Sequence, residues 1–106
     1  MKNKTDILIV GSGAAGLFCA LCLPKDRKIT IITKSDADQS DSFLAQGGIC
    51  VLKSEEDYEH YFEDTMRAGH YENRVESVDE MLRSSQSIIQ ELIDYGVEFE
   101  KEDGKY

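Results

Sequence analysis

The sequence predicts an α/β fold, in which a β-α-β unit is followed by two packing helices and the start of a β-hairpin. Three observations predict the β-α-β unit. The uninterrupted apolar run Asp6 to Val10 is typical of a strand buried on both faces of a parallel sheet. The glycine-rich stretch Gly11 to Gly16 follows this run directly. A further apolar run, Ile29 to Thr33, lies at the distance expected of the next parallel strand.

The first glycine-rich stretch, Gly11-Ser12-Gly13-Ala14-Ala15-Gly16, has the spacing of a dinucleotide-binding turn. Gly11 permits a sharp turn off the strand, Gly13 lets the backbone approach a pyrophosphate, and Gly16 lets the helix lie close to the strand. The N–H groups at the helix start and the positive end of the helix dipole then bind phosphate. In this context the motif predicts a Rossmann-like nucleotide-binding unit.

The first helix is expected from about Ala14 to Leu23, because Pro24 cannot continue it. An acid that binds the ribose hydroxyls normally follows the second strand, but Thr33 and Lys34 stand there instead. A threonine hydroxyl can still bond a ribose, and a lysine adds a positive charge near the adenosine or the phosphates. Both residues are therefore candidates for cofactor binding.

A second glycine-rich stretch is Ser42-Phe43-Leu44-Ala45-Gln46-Gly47-Gly48-Ile49. Gly47 and Gly48 again permit close approach of the backbone to a ligand, and Gln46 offers a donor and acceptors. The polar residues before it, Ser35 to Ser42, have the composition of a linker.

With these motifs the chain resembles the succinate dehydrogenase and fumarate reductase flavoprotein family, and within it the L-aspartate oxidases. The resemblance extends over nearly the whole chain, and its specific residues lie between Asp6 and Ile49. It implies FAD as the cofactor, with the flavin segment, Asp41 to Gly48, along the flavin. The candidate FAD-binding residues are Gly11, Ser12, Gly13, Ala14, Ala15, Gly16, Thr33, Lys34, Asp41, Ser42, Phe43, Leu44, Ala45, Gln46, Gly47 and Gly48.

Asp41 bears on how the flavin is held. Five residues before the Gln of Ala-Gln-Gly-Gly, membrane-associated members of the family carry a histidine that is bonded covalently to the flavin. In this sequence that position is Asp41, and a carboxylate cannot form the histidyl linkage. The resemblance therefore implies a non-covalent FAD, as in L-aspartate oxidases and in soluble fumarate reductases.

The resemblance implies an oxidoreductase that converts L-aspartate to iminoaspartate for quinolinate and NAD biosynthesis, with oxygen or fumarate as the electron acceptor. Quinolinate synthase is then a candidate partner. Two alternatives stay open: a soluble fumarate reductase-type dicarboxylate flavoenzyme, and a nucleotide-binding module without catalysis. No catalytic or metal-ligating residue is assigned within 1–106, and the residues that hold the dicarboxylate are expected beyond Tyr106.

The chain is expected to be the N-terminal part of a FAD/NAD(P)-binding domain. Residues 1–53 hold the β-α-β unit and the flavin segment, and residues 54–106 hold an acidic helical part. The last residues have the pattern of a truncated hairpin, because Val97 to Glu100 alternates like a strand and Asp103-Gly104 supplies a turn. The incomplete domain is expected to be inactive by itself, since enzymes of this family are several times longer.

Two helices follow the flavin segment. The first is expected to begin with Ser54 as its N-cap and to end at Gly69. The second is expected to begin with a capping box at Ser77 and to end at Gly96. Both have one apolar stripe, which predicts that they are packing helices.

Charge and cysteine content restrict the partners and the compartment. Residues 1–53 hold seven basic and five acidic residues, whereas residues 54–106 hold five basic and sixteen acidic residues. A formal net charge of −9 argues against binding to nucleic acid or to an anionic membrane surface. Cys19 and Cys22 are interpreted as small buried side chains of the first helix, because no further zinc ligands accompany them. The odd number of cysteines and the lack of a signal-peptide pattern predict the cytoplasm.

Overall fold

A computed structural model of the chain describes residues 4–45, 47–101 and 104. The chain divides into two units, Met1–Gly47 and Gly48–Tyr106. The first unit contains a small parallel sheet, one helix that packs on it and a short second helix, Asp41–Leu44, and the second unit contains a pair of longer helices. None of the described helices is both long and apolar enough to cross a membrane.

The first unit is built on two parallel strands. β1 (Ile7–Val10) is followed by α1 (Ala14–Cys22) and β2 (Ile29–Ile32), and the strands pair in register from Ile7 opposite Ile29 to Val10 opposite Ile32. This confirms the predicted order of strand, helix and parallel strand. Because both strands run in the same direction, their carboxyl ends lie side by side, next to the N-terminus of α1.

Only one face of β1 is covered, which differs from the prediction of a strand buried on both faces. Ile7 and Ile9 are half-buried, whereas Leu8 and Val10 point the other way and are 54% and 77% exposed. Successive side chains of a strand lie on opposite faces, so a single helix covers only alternate residues. Within the described chain, α1 is the helix that packs on this sheet.

The interpretation of Cys19 and Cys22 as buried side chains is wrong. Both thiols are exposed, and no residue of α1 is fully buried. The physical reason is the width of the sheet, because two strands present too little surface to enclose a helix.

The second unit is held together by packing between α3 (Tyr58–Ala68) and α4 (Val75–Asp94). Its core comprises Met66, Val78 and Leu82, and Leu82 is completely buried. This confirms that both are packing helices. The aromatic residues Tyr58, Tyr61 and Phe62 of α3 pack against this core.

The starts of both helices differ from the predicted caps. A 3-10 turn, Glu55–Asp57, precedes α3, and the Ser54 hydroxyl donates to Asp57 instead of accepting a backbone N–H. α4 begins at Val75, so the predicted capping box at Ser77 lies inside the helix. The N–H groups of Ser77 and Val78 both donate to the carbonyl of Arg74, which starts the helix earlier.

Both helices end in a left-handed turn. After α4, Gly96 has φ +101°, and the N–H groups of Gly96 and Val97 donate to the carbonyls of Ile93 and Leu92. This pattern is a Schellman motif, and it confirms the predicted stop at Gly96. After α3 the same pattern is formed by His70, which has φ +54°.

The predicted hairpin at the end of the chain is not formed by the described residues. Residues 97–100 are not a strand, and the sheet of the described chain consists of β1 and β2. A strand needs ladder hydrogen bonds to a neighbour, and alternation of side chains alone does not supply them. Gly104 lies in a turn, whereas Asp103 and the predicted return strand from Lys105 fall outside the described residues.

A polar cluster joins the start of α3 to α4. The Tyr58 hydroxyl donates to the Asp79 carboxylate, and Arg83 Nε donates to the same carboxylate at 2.9 Å. The Arg83 guanidinium also lies 4.4 Å from the centre of the Tyr58 ring. The hydrogen bond from Tyr58, and after it Arg83, hold the pKa of Asp79 below its usual value.

Replacing Tyr58 by phenylalanine is expected to raise the pKa of Asp79 toward its usual value, because the largest stabilisation of the carboxylate is removed. A lowered pKa in the folded state stabilises the fold above the unfolded pKa of the carboxyl group, and this contribution is lost as the pH falls through the lowered pKa. The variant should therefore lose less stability in acid than the wild type. An NMR titration of the Asp79 carboxyl carbon checks the pKa. Tyr71→Phe is the control, since the Tyr71 hydroxyl donates to Glu63, and an equal shift in both variants would contradict the assignment.

Candidate cofactor-binding site

The glycine turn, Gly11 to Gly13, connects β1 to α1 at the carboxyl end of the sheet. Gly11 has φ +115°, a backbone conformation that side chains disfavour, and its N–H donates to the carbonyl of Ile32 at 2.7 Å. This bond continues the pairing of β1 with β2 by one residue before the chain turns away. The turn is therefore fixed to both strands.

Gly16 allows α1 to lie against this turn. A Cβ atom on Gly16 would overlap the backbone carbonyl oxygen of Gly11, and it would lie 3.3 Å from Cγ2 of Ile9. Because the nearest atom belongs to the backbone, no side-chain rotation can relieve the overlap. The third glycine of the motif thus sets the distance between helix and strand.

A buried hydroxyl links the glycine turn to the end of β2. Ser12 is 7% exposed, and its Oγ donates to Oγ1 of Thr33 at 3.2 Å. Thr33 therefore has one acceptor position occupied by Ser12, while its own O–H can still donate. The link fixes the residue that stands where dinucleotide-binding proteins normally carry an acid.

The flavin segment begins beside the start of α1. The N–H of Ala14 donates to Oγ of Ser42 at 2.9 Å, and a Cβ on Gly13 would lie 3.2 Å from the same hydroxyl oxygen. The structure therefore brings together the two glycine-rich stretches that the sequence singles out. The narrow space between them would be partly filled by any side chain at Gly13.

Two short helical turns place Ser42 at this point. The residues predicted as a linker contain a 3-10 turn, Ala37–Gln39, and α2 (Asp41–Leu44) follows it. Ser40 is the N-cap of α2, and its Oγ accepts the N–H of Phe43 at 3.1 Å. The sequence contains the signal for this cap, a serine followed by an acid, but the helix has too few residues to show a period.

These elements enclose a cleft of about 730 Å³ at the carboxyl ends of the strands. This volume is in the range of small-molecule and cofactor sites. One cation and one anion, Lys34 and Asp41, are among the lining residues. The cleft is lined by Val10, Gly11, Ser12, Gly13, Ile32, Thr33, Lys34, Ser35, Gln39, Ser40, Asp41 and Ser42.

Seven of the sequence-predicted residues line the cleft: Gly11, Ser12, Gly13, Thr33, Lys34, Asp41 and Ser42. Ala14, Ala15 and Gly16 form the first turn of α1 and are not among the lining residues. Phe43, Leu44, Ala45 and Gly47 are exposed and do not line the cleft, Gly48 falls in the second unit, and Gln46 lies outside the described residues.

Five lining residues were not predicted from the sequence: Val10, Ile32, Ser35, Gln39 and Ser40. Val10 and Ile32 end the two strands, so the position of a strand end is the signal that could have identified them. The other three belong to the stretch that was interpreted as a linker. In the part of the chain that the structure describes, no group of three or more histidine, cysteine, aspartate or glutamate residues could hold a metal ion.

Comparisons with known proteins identify relatives over nearly the whole chain. The family model for the FAD binding domain matches residues 6–106. The L-aspartate oxidase of Clostridium perfringens is 45% identical over 97% of this chain and 24% of its own length. The L-aspartate oxidase of Clostridium acetobutylicum is 45% identical over 98% of this chain and 24% of its own length, and that of Synechocystis is 37% identical over 93% and 18%. The chain thus spans about a quarter of the length of the first of these relatives. No solved structure matches the chain.

Proposed function

The chain belongs to the family of FAD binding domains, and from this premise we propose that its N-terminal cleft binds FAD in a flavoenzyme that oxidises L-aspartate. The observation that carries the proposal is the meeting of the glycine turn with the start of the flavin segment at one cleft, through Ala14 and Ser42. The names of the relatives support the substrate.

The cleft fits a dinucleotide cofactor in three respects. Gly13 lines it without a side chain, so the backbone can approach a pyrophosphate. The N-terminus of α1 supplies N–H groups and a positive dipole end for the phosphates. Lys34 lies at the end of β2, where it would add a positive charge near the adenosine or the phosphates. We therefore propose a Rossmann-like unit that forms the N-terminal part of a FAD/NAD(P)-binding domain, with 1–53 and 54–106 as its two parts.

The proposed FAD is held without a covalent bond. Asp41 lines the cleft at the position of the histidine that carries the flavin in covalent members of the family. Its carboxylate can accept hydrogen bonds, but it cannot form the histidyl linkage. The remaining proposed contacts are Gly11, Ser12, Ala15, Gly16, Thr33 and the residues Phe43 to Gly48 of the flavin segment.

The proposed reaction is the oxidation of L-aspartate to iminoaspartate. FAD, when bound, supplies the redox chemistry by accepting the two electrons removed from the substrate. The part played by this chain is to bind the cofactor and fix its orientation. We propose oxygen or fumarate as the electron acceptor, and quinolinate synthase as the enzyme that consumes the product for NAD biosynthesis.

The proposal is tested on the whole protein that carries this chain. The purified protein is expected to show a flavin absorption spectrum, and precipitation with acid should release FAD into the supernatant. With L-aspartate under air, the protein should produce hydrogen peroxide. Flavin that remains in the pellet would contradict the non-covalent site. FAD binding with fumarate reduction but no peroxide from L-aspartate would indicate the fumarate reductase alternative, and FAD binding without either reaction would indicate a nucleotide-binding module.

A further inference from the structure

We propose that Ser42 is a positioning residue that connects the phosphate-binding end of the cleft to the flavin segment. Its hydroxyl accepts the N–H of Ala14 at 2.9 Å, so the first residue of α1 holds the second residue of the flavin segment. The inference rests on the proposed binding of FAD in this cleft. It goes beyond that proposal by giving the Ser42 side chain a role in which it acts through Ala14 and not on the cofactor directly.

Both sides of this bond are fixed by other contacts. Ala14 begins α1, and the glycine turn before it is bonded to β2 through Gly11. Ser42 lies in α2, whose N-terminus is capped by the Ser40 hydroxyl. The bond therefore joins two locally defined pieces of structure that are 28 residues apart in sequence.

The same hydroxyl could instead compete with phosphate for the N–H of Ala14, and two observations favour the connecting role. A helix start offers four N–H groups without intrahelical partners, and Ser42 uses one of them, so others are available for phosphate. Gly13 also lines the cleft, and because it has no side chain, the backbone of the turn is accessible from the cleft. Bound phosphate and the Ser42 bond can therefore coexist.

The connecting role predicts that loss of the Ser42 hydroxyl affects the binding of FAD and of ADP differently. ADP is the part of FAD that would contact the glycine turn and the end of β2. It has no flavin that could contact the flavin segment. Loss of the Ser42 hydroxyl should release the flavin segment from α1 and leave the glycine turn in place. The affinity for FAD should then fall, while the affinity for ADP stays unchanged.

The experiment compares the dissociation constants of FAD and ADP for the flavin-free whole protein, measured by calorimetry. For Ser42→Ala we expect the affinity for FAD to fall about three- to tenfold, which is the effect of one hydrogen bond, and the affinity for ADP to stay within twofold. Ser42→Thr keeps the hydroxyl and should restore the affinity for FAD. Ser87→Ala is the matched control, because the Ser87 hydroxyl donates to the carbonyl of Ser84 within α4.

A second measurement needs no cofactor. In the flavin-free protein, the amide hydrogen of Ala14 should exchange faster in Ser42→Ala than in the wild type, and Ser87→Ala should leave this rate unchanged. Equal exchange of the Ala14 amide in all three proteins would overturn the connecting role.

The remaining outcomes separate this inference from the proposed function. An equal fall in the affinities for FAD and ADP would mean that Ser42 is only structural. A gain in affinity for ADP would mean that its hydroxyl competes with phosphate. Either result overturns the connecting role and leaves the FAD site intact. A wild-type protein that binds neither FAD nor ADP would overturn the proposed function and the inference together.

Discussion

Replacing Gly16 by alanine is expected to lower the affinity of the whole protein for FAD by about 10- to 100-fold, which corresponds to the cost of one overpacked site. The added Cβ would overlap the carbonyl oxygen of Gly11, so α1 must move away from β1 or the glycine turn must change its path. Either change displaces the N–H groups that are proposed to bind the phosphates. Calorimetric titration of the flavin-free protein with FAD measures the loss.

The direction of the change in stability distinguishes the effect of tertiary packing from the effect of helix propensity. Within a helix, alanine is more stable than glycine by about 1 kcal/mol, so propensity alone predicts a more stable variant. The overlap with Gly11 is expected to cost more than this gain, because the nearest atom is backbone and cannot rotate away. The variant should therefore melt at a lower temperature than the wild type.

Ala68→Val, at an exposed position of α3, is the control for added bulk. Unchanged FAD affinity and a raised melting temperature for Gly16→Ala would show that the turn does not need this glycine.

The second large effect is expected from Leu82→Ala in α4. Leu82 is completely buried and packs with Met66 and Val78 in the core of the helical unit. Truncation of a buried leucine removes apolar contacts and leaves a cavity, and it typically costs about 2–5 kcal/mol of the free energy of unfolding. A large part of the stability of a small domain would be lost.

Chemical denaturation followed by circular dichroism measures this loss. Met81→Ala is the matched control, since Met81 is the neighbouring residue of the same helix and is 48% exposed. Met81→Ala removes a side chain of similar size, but the loss in the free energy of unfolding should be a small fraction of the loss for Leu82→Ala. Equal losses in the two variants would contradict the assignment of Leu82 to the centre of the core.

The elements of the N-terminal unit could be predicted from the sequence because their signals are local. Pro24 ends the region of α1, and the glycines after Val10 mark the end of β1. The Schellman turn at Gly96 is equally local, since it depends on one residue that tolerates a positive φ. Such signals act over one or two turns of chain, so they can be recognised without the rest of the fold.

Other local signals predicted structures that the chain does not adopt. The capping box at Ser77 satisfies the sequence rule, yet α4 starts at Val75, because the carbonyl of Arg74 already accepts two N–H groups. The alternation of Val97 to Glu100 is that of a strand, but pairing with another strand decides whether a strand forms. Composition also failed for the stretch Ser35 to Ser42, which forms helical turns too short to have a period.

The order of strand, helix and strand in the first unit, the glycine turn and the class of cofactor could all be inferred without a structure. Which distant residues meet at the cleft depends on the fold of the whole unit. Ser12 contacts Thr33 across 21 residues, and Ala14 contacts Ser42 across 28 residues. A hydroxyl group has no periodicity and many partners of equal chemistry, so its partner is set by the path of the intervening chain. The exposure of Val10 also depends on the fold, because α1 covers one face of the sheet and Val10 lies on the other.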